Sequence, residues 1–256
     1  VTKTTHPLIK IKCSHITEQF LYDNRSSSFI VSNFVQLNPR FIDLLTQYCN
    51  YVIYEHDHKY LKTRNPADYK DYIAPKDQII NYDFYKNAKA VFCQSEFHKQ
   101  IVEKNLSLDN IISLGGNLWS DESLNLLEKL ADKPKEDKFS IMQSDNWHKN
   151  TADAVRFCKI KELDFELIPS CSNRLTNNDK FVFLPKTPET LSRIIVEARM
   201  AGMSVTTNNN VGASKEDWFK LKGKELIEKM RDKKPEILTK VLEVFSENTS
   251  NIKQDS

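Results

Sequence analysis

Short β-branched runs alternate with amphipathic segments along most of the chain, and this rhythm restricts the possible folds more than any other feature. FIVSNF (29–34) reads as a strand, NPRFIDLLTQYC (38–49) as a helix, YVIYEH (51–56) as a strand and DQIINYDFYKNA (77–88) as helical. Strand AVFCQS (90–95), helix EFHKQIVEKN (96–105) and strand NIISLGG (110–116) continue the series. The polar, charge-dense stretch LADKPKEDK (130–138) interrupts it. It then resumes with strand FSIMQS (139–144), helix NTADAVRFCKIK (150–161), strands FELIPS (165–170) and FVFLP (181–185), helix ETLSRIIVEARMAG (189–202) and strand SVTTN (204–208). Such alternation marks βαβ units, whose parallel sheets are covered by helices. The expected architecture is α/β with two Rossmann-like lobes, residues 1–120 and 121–247, and a polar tail over 248–256. Parallel sheets bind ligands beyond the carboxyl ends of their strands, so the cleft between the lobes is the expected site.

Composition removes several classes. At 256 residues the chain can bury two cores, and a net charge of +2 makes no electrostatic case for nucleic acid or acidic lipid. Cys13, Cys49, Cys93, Cys158 and Cys171 are odd in number, widely spaced and free of any C-x-x-C pair. A disulfide framework or structural zinc site is therefore not expected, and a reducing compartment is. No apolar run reaches the roughly 18 residues of a membrane span, and VTKTTHPLIKIK lacks the apolar stretch of a secretory leader. A cytoplasmic location is the expectation.

The stretch 181–212 is the most informative. Thr187 suits an N-cap, Pro188 the first helical position and Gly202 the helix end. The spacing predicts a helix whose amino end faces the cleft, where unpaired amides favour phosphate. Glu189 and Glu197 then stand about 12 Å apart, at roughly 1.5 Å per residue, so they hold two parts of one extended ligand or are simply solvated helix glutamates.

A second stretch, 51-YVIYEHDHKYL-61, ends an apolar run in a glutamate, two histidines and an aspartate. Strand alternation places His56 and His58 on one face, an arrangement that suits zinc, though no third ligand stands out among His6, His15, His98 and His148. From these residues alone the stretch is a metal site, a catalytic corner or a polar strand end. Lys59, Lys62 and Arg64 just beyond it read as a solvated face.

Several elements in order carry a family resemblance. E189-TLSRIIV-E197 with the following AGMSVTTN and VG resembles the E-x7-E signature of retaining nucleotide-sugar glycosyltransferases of the two-lobed GT-B fold. FSIMQSDNWHKN (139–150), NAKAVFCQSEFHKQIVEKN (87–105) and NIISLGGN (110–117) resemble that family's other landmarks, so the likeness covers roughly residues 50–212. It implies transfer of a hexose from a nucleotide-diphosphate sugar, a UDP-sugar, to a hydroxyl acceptor, without metal or further cofactor. It also implies roles. Lys149 neutralises the donor diphosphate, Glu197 binds the ribose and Glu189 the transferred sugar, with Ser144, Thr190, Leu191 and Arg193 at donor-binding positions. His56 bonds a donor hydroxyl, and Asp57 acts as base, stabilises charge at the anomeric carbon or forms a covalent intermediate.

The chain departs from the pattern in two places. Ser144 stands where the family has a phosphate-binding arginine, for which Arg193, Lys186 or Arg174 are candidate substitutes. All five glycines lie at or after Gly115, so the Gly-rich loop of the first lobe is missing and that lobe reads as trimmed. These departures keep open a non-catalytic nucleotide- or sugar-binding module. The His-Asp-His run is also similar to the catalytic corner of phage α-glucosyltransferases acting on 5-hydroxymethylcytosine, which makes hydroxymethylated DNA an alternative to a glycan acceptor. The basic stretch 215–234 bears on this choice, since Trp218 and Phe219 interleave its lysines. Together with Leu221, Leu226, Ile227 and Met230, however, they fall at helical spacing, and the stretch reads as an amphipathic helix docked on the lobes.

Overall fold

A computed structural model describes residues 8–169 and 177–246; Cys171, Arg174, His6 and the polar tail lie outside the described residues. After α1 (Glu18–Asp23), the first lobe runs β1 (Ser28–Val31), α2 (Pro39–Tyr48), β2 (Asn50–Tyr54), α3 (Tyr82–Asn87), β3 (Val91–Cys93), α4 (Glu96–Leu106) and β4 (Ile111–Ser113). The second follows with α5 (Asp121–Ala131), β5 (Glu136–Gln143), α6 (Thr151–Ile160), β6 (Phe165–Pro169), β7 (Asn178–Phe183), α7 (Arg193–Met200), β8 (Ser204–Thr207) and α8 (Lys224–Ser246). Among the described residues these make two four-stranded sheets, β1-β2-β3-β4 and β6-β5-β7-β8, with every pairing parallel. The protein is thus an α/β chain of two Rossmann-like lobes.

Local chemistry accounts for many element ends. Asn38 caps α2 by accepting from Arg40 N, with Pro39 in the first turn. Ser95 caps α4 by accepting from His98 N. Helix α7 ends in a Schellman turn: Met203 N donates to Ala198 O and Gly202 N to Arg199 O, with Gly202 at φ +90°.

The start of α7 differs from expectation. Residues 189–191 are not helical, and neither Thr187 nor Pro188 opens the helix. Glu189 forms a parallel bridge with Val211, its N–H donating to Asn210 O at 2.7 Å and its carbonyl accepting from Gly212 N at 2.9 Å. Leu191 O accepts from Ala213 N. Pairing with 210–213 satisfies these backbone groups and overrides the local helix signal. Glu189 and Glu197 therefore do not share a helix, and the 12 Å axial spacing does not apply.

The carboxyl-terminal stretch also differs. It divides into a short 3-10 turn, Asp217–Lys220, and α8, which continues twelve residues past 234. Leu226, Ile227 and Met230 of α8 pack in the core of the second lobe, whereas Ile237 and Val241 pack with Val52, Tyr54, Phe92 and Leu114 of the first. This single helix joins both cores. Cross-lobe hydrogen bonds add to it: Trp218 Nε1 donates to Gly115 O at 2.8 Å, Glu96 N to Glu216 Oε1 at 2.8 Å and Tyr72 OH to Asn210 Oδ1 at 3.1 Å. No helix among the described residues is long and apolar enough to cross a membrane.

Candidate active site in the inter-lobe cleft

Strand β2 is buried over Tyr51–Tyr54, and Glu55 N extends its ladder by donating to Phe92 O. The chain then turns around the Glu55 side chain, which is fully buried. Oε1 accepts from His56 N at 3.0 Å, Asp57 N at 3.1 Å and Lys59 Nζ at 2.6 Å, while Oε2 accepts from Tyr85 OH. Burial pushes the Glu55 carboxyl above its ordinary value, and Lys59 and Tyr85 oppose that shift. Lys59 is itself 3% exposed, so it is not part of a solvated face; the Glu55 carboxyl is what makes its burial tolerable.

This buried pair aims the next two side chains outward. His56 is exposed beside Tyr54, with ring centroids 5.0 Å apart. Desolvation by the cleft walls, reinforced by Lys59 and opposed by Asp57, holds its imidazole below the ordinary value. Asp57 lies 2.9 Å from Lys59 Nζ and 3.5 Å from Arg64 Nη1. His58 turns inward instead. Its Nδ1 is 3.1 Å from Tyr60 OH, its ring meets His98 edge-on at 5.1 Å, and burial pulls it down to about 3. The expected common face of His56 and His58 is broken by the turn at Glu55. Among the described residues no group of three or more His, Cys, Asp or Glu side chains is arranged to hold a metal ion.

The second lobe supplies the opposite wall. Strand order β6-β5-β7-β8 places the switch point, where the order of strand addition reverses, between β5 and β7, and open parallel sheets have a crevice there at their carboxyl ends. The loops leaving these two strands are tied together: Asn150 Nδ2 donates to Leu184 O at 2.7 Å, and Lys186 N to His148 O at 3.0 Å. Lys149 thereby meets Glu189, with Nζ 2.8 and 2.9 Å from its two carboxylate oxygens. Next to it, Thr190 Oγ1 lies 2.8 Å from His56 O and 2.7 Å from Gln94 Oε1, and Thr190 O accepts from Ser95 Oγ, so Thr190 latches the lobes together.

Between these walls lies a cavity of about 400 Å³ lined by His56, Asp57, Lys149, Glu189 and Thr190, together with Arg64, Asn65, Asn146, His148 and Thr187. The other predicted residues lie elsewhere. Ser144 is engaged in the loop after β5, where its N–H donates to Thr151 Oγ1 and its hydroxyl accepts from Asn146 N. Leu191 is core, 1% exposed. Glu197 is buried, accepting from Trp119 Nε1 at 2.9 Å, with Arg193 Nη2 at 3.4 Å. Arg193 also donates to Leu118 O and covers the Trp119 ring at 4.7 Å. Sequence reasoning missed Arg64, Asn146 and His148 as lining residues and Glu55 with Lys59 as their scaffold. The only signals were the Asn-Pro turn at 65–66 and the adjacency of His148 to Lys149.

No protein-family model matches this sequence, and no curated protein matches it significantly. Among solved structures, Alr3699/HepE of Anabaena in complex with UDP-glucose aligns at TM-score 0.48 and 12% identity over 86% of this chain and 71% of that one. A chain of the GtfA/B complex aligns at 0.47 and 10% over 85% and 50%, so the present chain spans half its length. A glycosyltransferase of Rickettsia africae aligns at 0.42 and 13% over 93% and 74%.

Proposed function

We propose that the protein is a glycosyltransferase that moves a hexose from a nucleotide-diphosphate sugar to a hydroxyl acceptor with retention at the anomeric carbon. The observation that carries this reading is the cleft cavity, where His56 and Asp57 of one lobe face Lys149 and Glu189 of the other across a space sized for a small ligand. Anabaena HepE, similar in outline, was crystallised with UDP-glucose, and a UDP-sugar is the donor we propose here.

In this reading the nucleotide lies at the β5–β7 crevice and the sugar reaches toward His56. The bond from the anomeric carbon to the diphosphate breaks, and the diphosphate leaves with the electron pair. The acceptor oxygen bonds to the same face, and its proton passes to the departing phosphate. Lys149 stabilises the charge gathering on the leaving group without a metal. Neutral His56 bonds a sugar hydroxyl. Asp57 keeps its ion pair with the buried Lys59, which makes it a weak nucleophile and favours front-side attack over a covalent intermediate. Glu189 orients both Lys149 and the sugar.

The test is turnover. The purified chain is incubated with UDP-, GDP- and ADP-sugars and either a panel of glycans or hydroxymethylated DNA, and nucleotide release and the anomeric configuration of the product are followed by NMR. Retained configuration with one donor supports the proposal, and the productive acceptor decides between glycan and DNA. Tight binding of a donor without any transfer points to the non-catalytic module.

A further inference from the structure

We infer that Arg64 is the guanidinium that clamps the donor diphosphate, reaching across from the first lobe in place of the arginine absent at Ser144. This rests on the nucleotide-sugar reading above. Among the described residues, the candidates within the second lobe are committed or remote. Arg193 is held by Leu118 O, the Trp119 ring and Glu197, and does not line the cavity. Lys186 lies over the Trp147 ring at 4.8 Å and does not line it either. Arg64 does line it, on the wall opposite Lys149.

The charge arrangement shows which cation is free to move. Arg64 and Lys149 each pair with a carboxylate, Asp57 and Glu189. Asp57, however, has two cations, and the other one, Lys59, is buried and cannot follow a ligand. Arg64 is half exposed and makes the longer contact, 3.5 Å against 2.9 Å. An arriving diphosphate can therefore draw Arg64 away while Asp57 keeps Lys59. If Lys149 swings toward a ligand, by contrast, its bidentate contact with Glu189 is lost. A guanidinium fork also matches phosphate oxygens two at a time, which an ammonium does not. His148 lines the same cavity.

Calorimetric titration tests this, with UDP, GDP, ADP and the corresponding monophosphates against the wild type, Arg64→Gly and Arg64→Lys. Arg64 has φ +55°, a conformation glycine adopts freely, so the glycine variant removes the side chain without straining the turn, and its melting temperature checks the fold. The wild type is expected to bind one diphosphate. Arg64→Gly then weakens it about tenfold, weakens the monophosphate clearly less, and Arg64→Lys recovers part of the loss. Diphosphate affinity within twofold of wild type in Arg64→Gly, or equal losses for diphosphate and monophosphate, overturns the assignment of Arg64 and leaves the donor site standing. If the wild type binds no nucleotide, the donor site itself is wrong and Arg64 falls with it.

Discussion

Lys149 Nζ sits within 2.9 Å of both carboxylate oxygens of Glu189, a residue forty positions later on the neighbouring strand's exit loop. The pair forms because Glu189 is held in an extended bridge to Val211 rather than in a helix. It fixes a cation at the carboxyl end of β5, facing His56 and Asp57.

Replacing Glu189 by Gln keeps the shape and removes the charge. The pair is partly solvated, so stability should fall by about 1 kcal/mol or less. Transfer should fall about a hundredfold, because Lys149 and the sugar lose their common orienting group. Paired measurements of turnover and melting temperature check this; an unchanged rate with an unchanged fold removes Glu189 from the site.

Gly212 of the second lobe lies against Ser95 of the first. A Cβ there would run into Ser95 Oγ and the Thr190 carbonyl, nearer than real Cβ atoms approach anything. Both atoms belong to the latch between Ser95 and Thr190. Gly212→Ala should cost about 1–3 kcal/mol in urea unfolding and loosen the cleft, reducing nucleotide affinity as well. A variant as stable as the wild type would mean that the lobes do not close on this contact.

Acid should destabilise the first lobe through two buried histidines. Burial holds His58 at about 3 and His98 well below the ordinary 6.5, so both are neutral in the fold. Below pH 6.5 the unfolded chain binds protons that the folded one does not. Their contribution is therefore fully present above that pH and is lost as pH falls toward 3, by at most about 1.4 kcal/mol per pH unit per histidine. Glu55, raised by burial, works with the opposite sign, so the informative quantity is a difference between variants. Urea unfolding between about pH 4 and 7 should show a shallower pH dependence for His98→Asn than for the wild type. Equal slopes would place His98 in contact with water.

The strand and helix interiors were legible because their signals are local. Alternation, apolar periodicity and caps such as Asn38 and Ser95 act within a few residues. The segment 189–192 was not legible, because its partners at 210–213 and on Ser95, Gln94 and His56 come from elsewhere in the chain and outweigh the Thr-Pro helix signal. Burial of Lys59 was equally hidden. A lysine in a charged run reads as solvated unless Glu55 and Tyr85 are known to enclose it. The cavity residues His56, Asp57, Lys149 and Glu189 are visible in the sequence only through motif resemblance, since no periodicity links positions on different lobes. Arg64 sits in an irregular loop, where no pattern assigns a side chain to a face.

The central claim is that residues of both lobes act on one ligand. Hydrogen–deuterium exchange, with and without each of the UDP-, GDP- and ADP-sugars, measures this most directly. One nucleotide sugar should slow exchange together in the turn after β2, residues 55–65, and in the loops after β5 and β7, residues 144–150 and 186–191. Protection confined to one lobe, or none with any nucleotide sugar, would contradict the account.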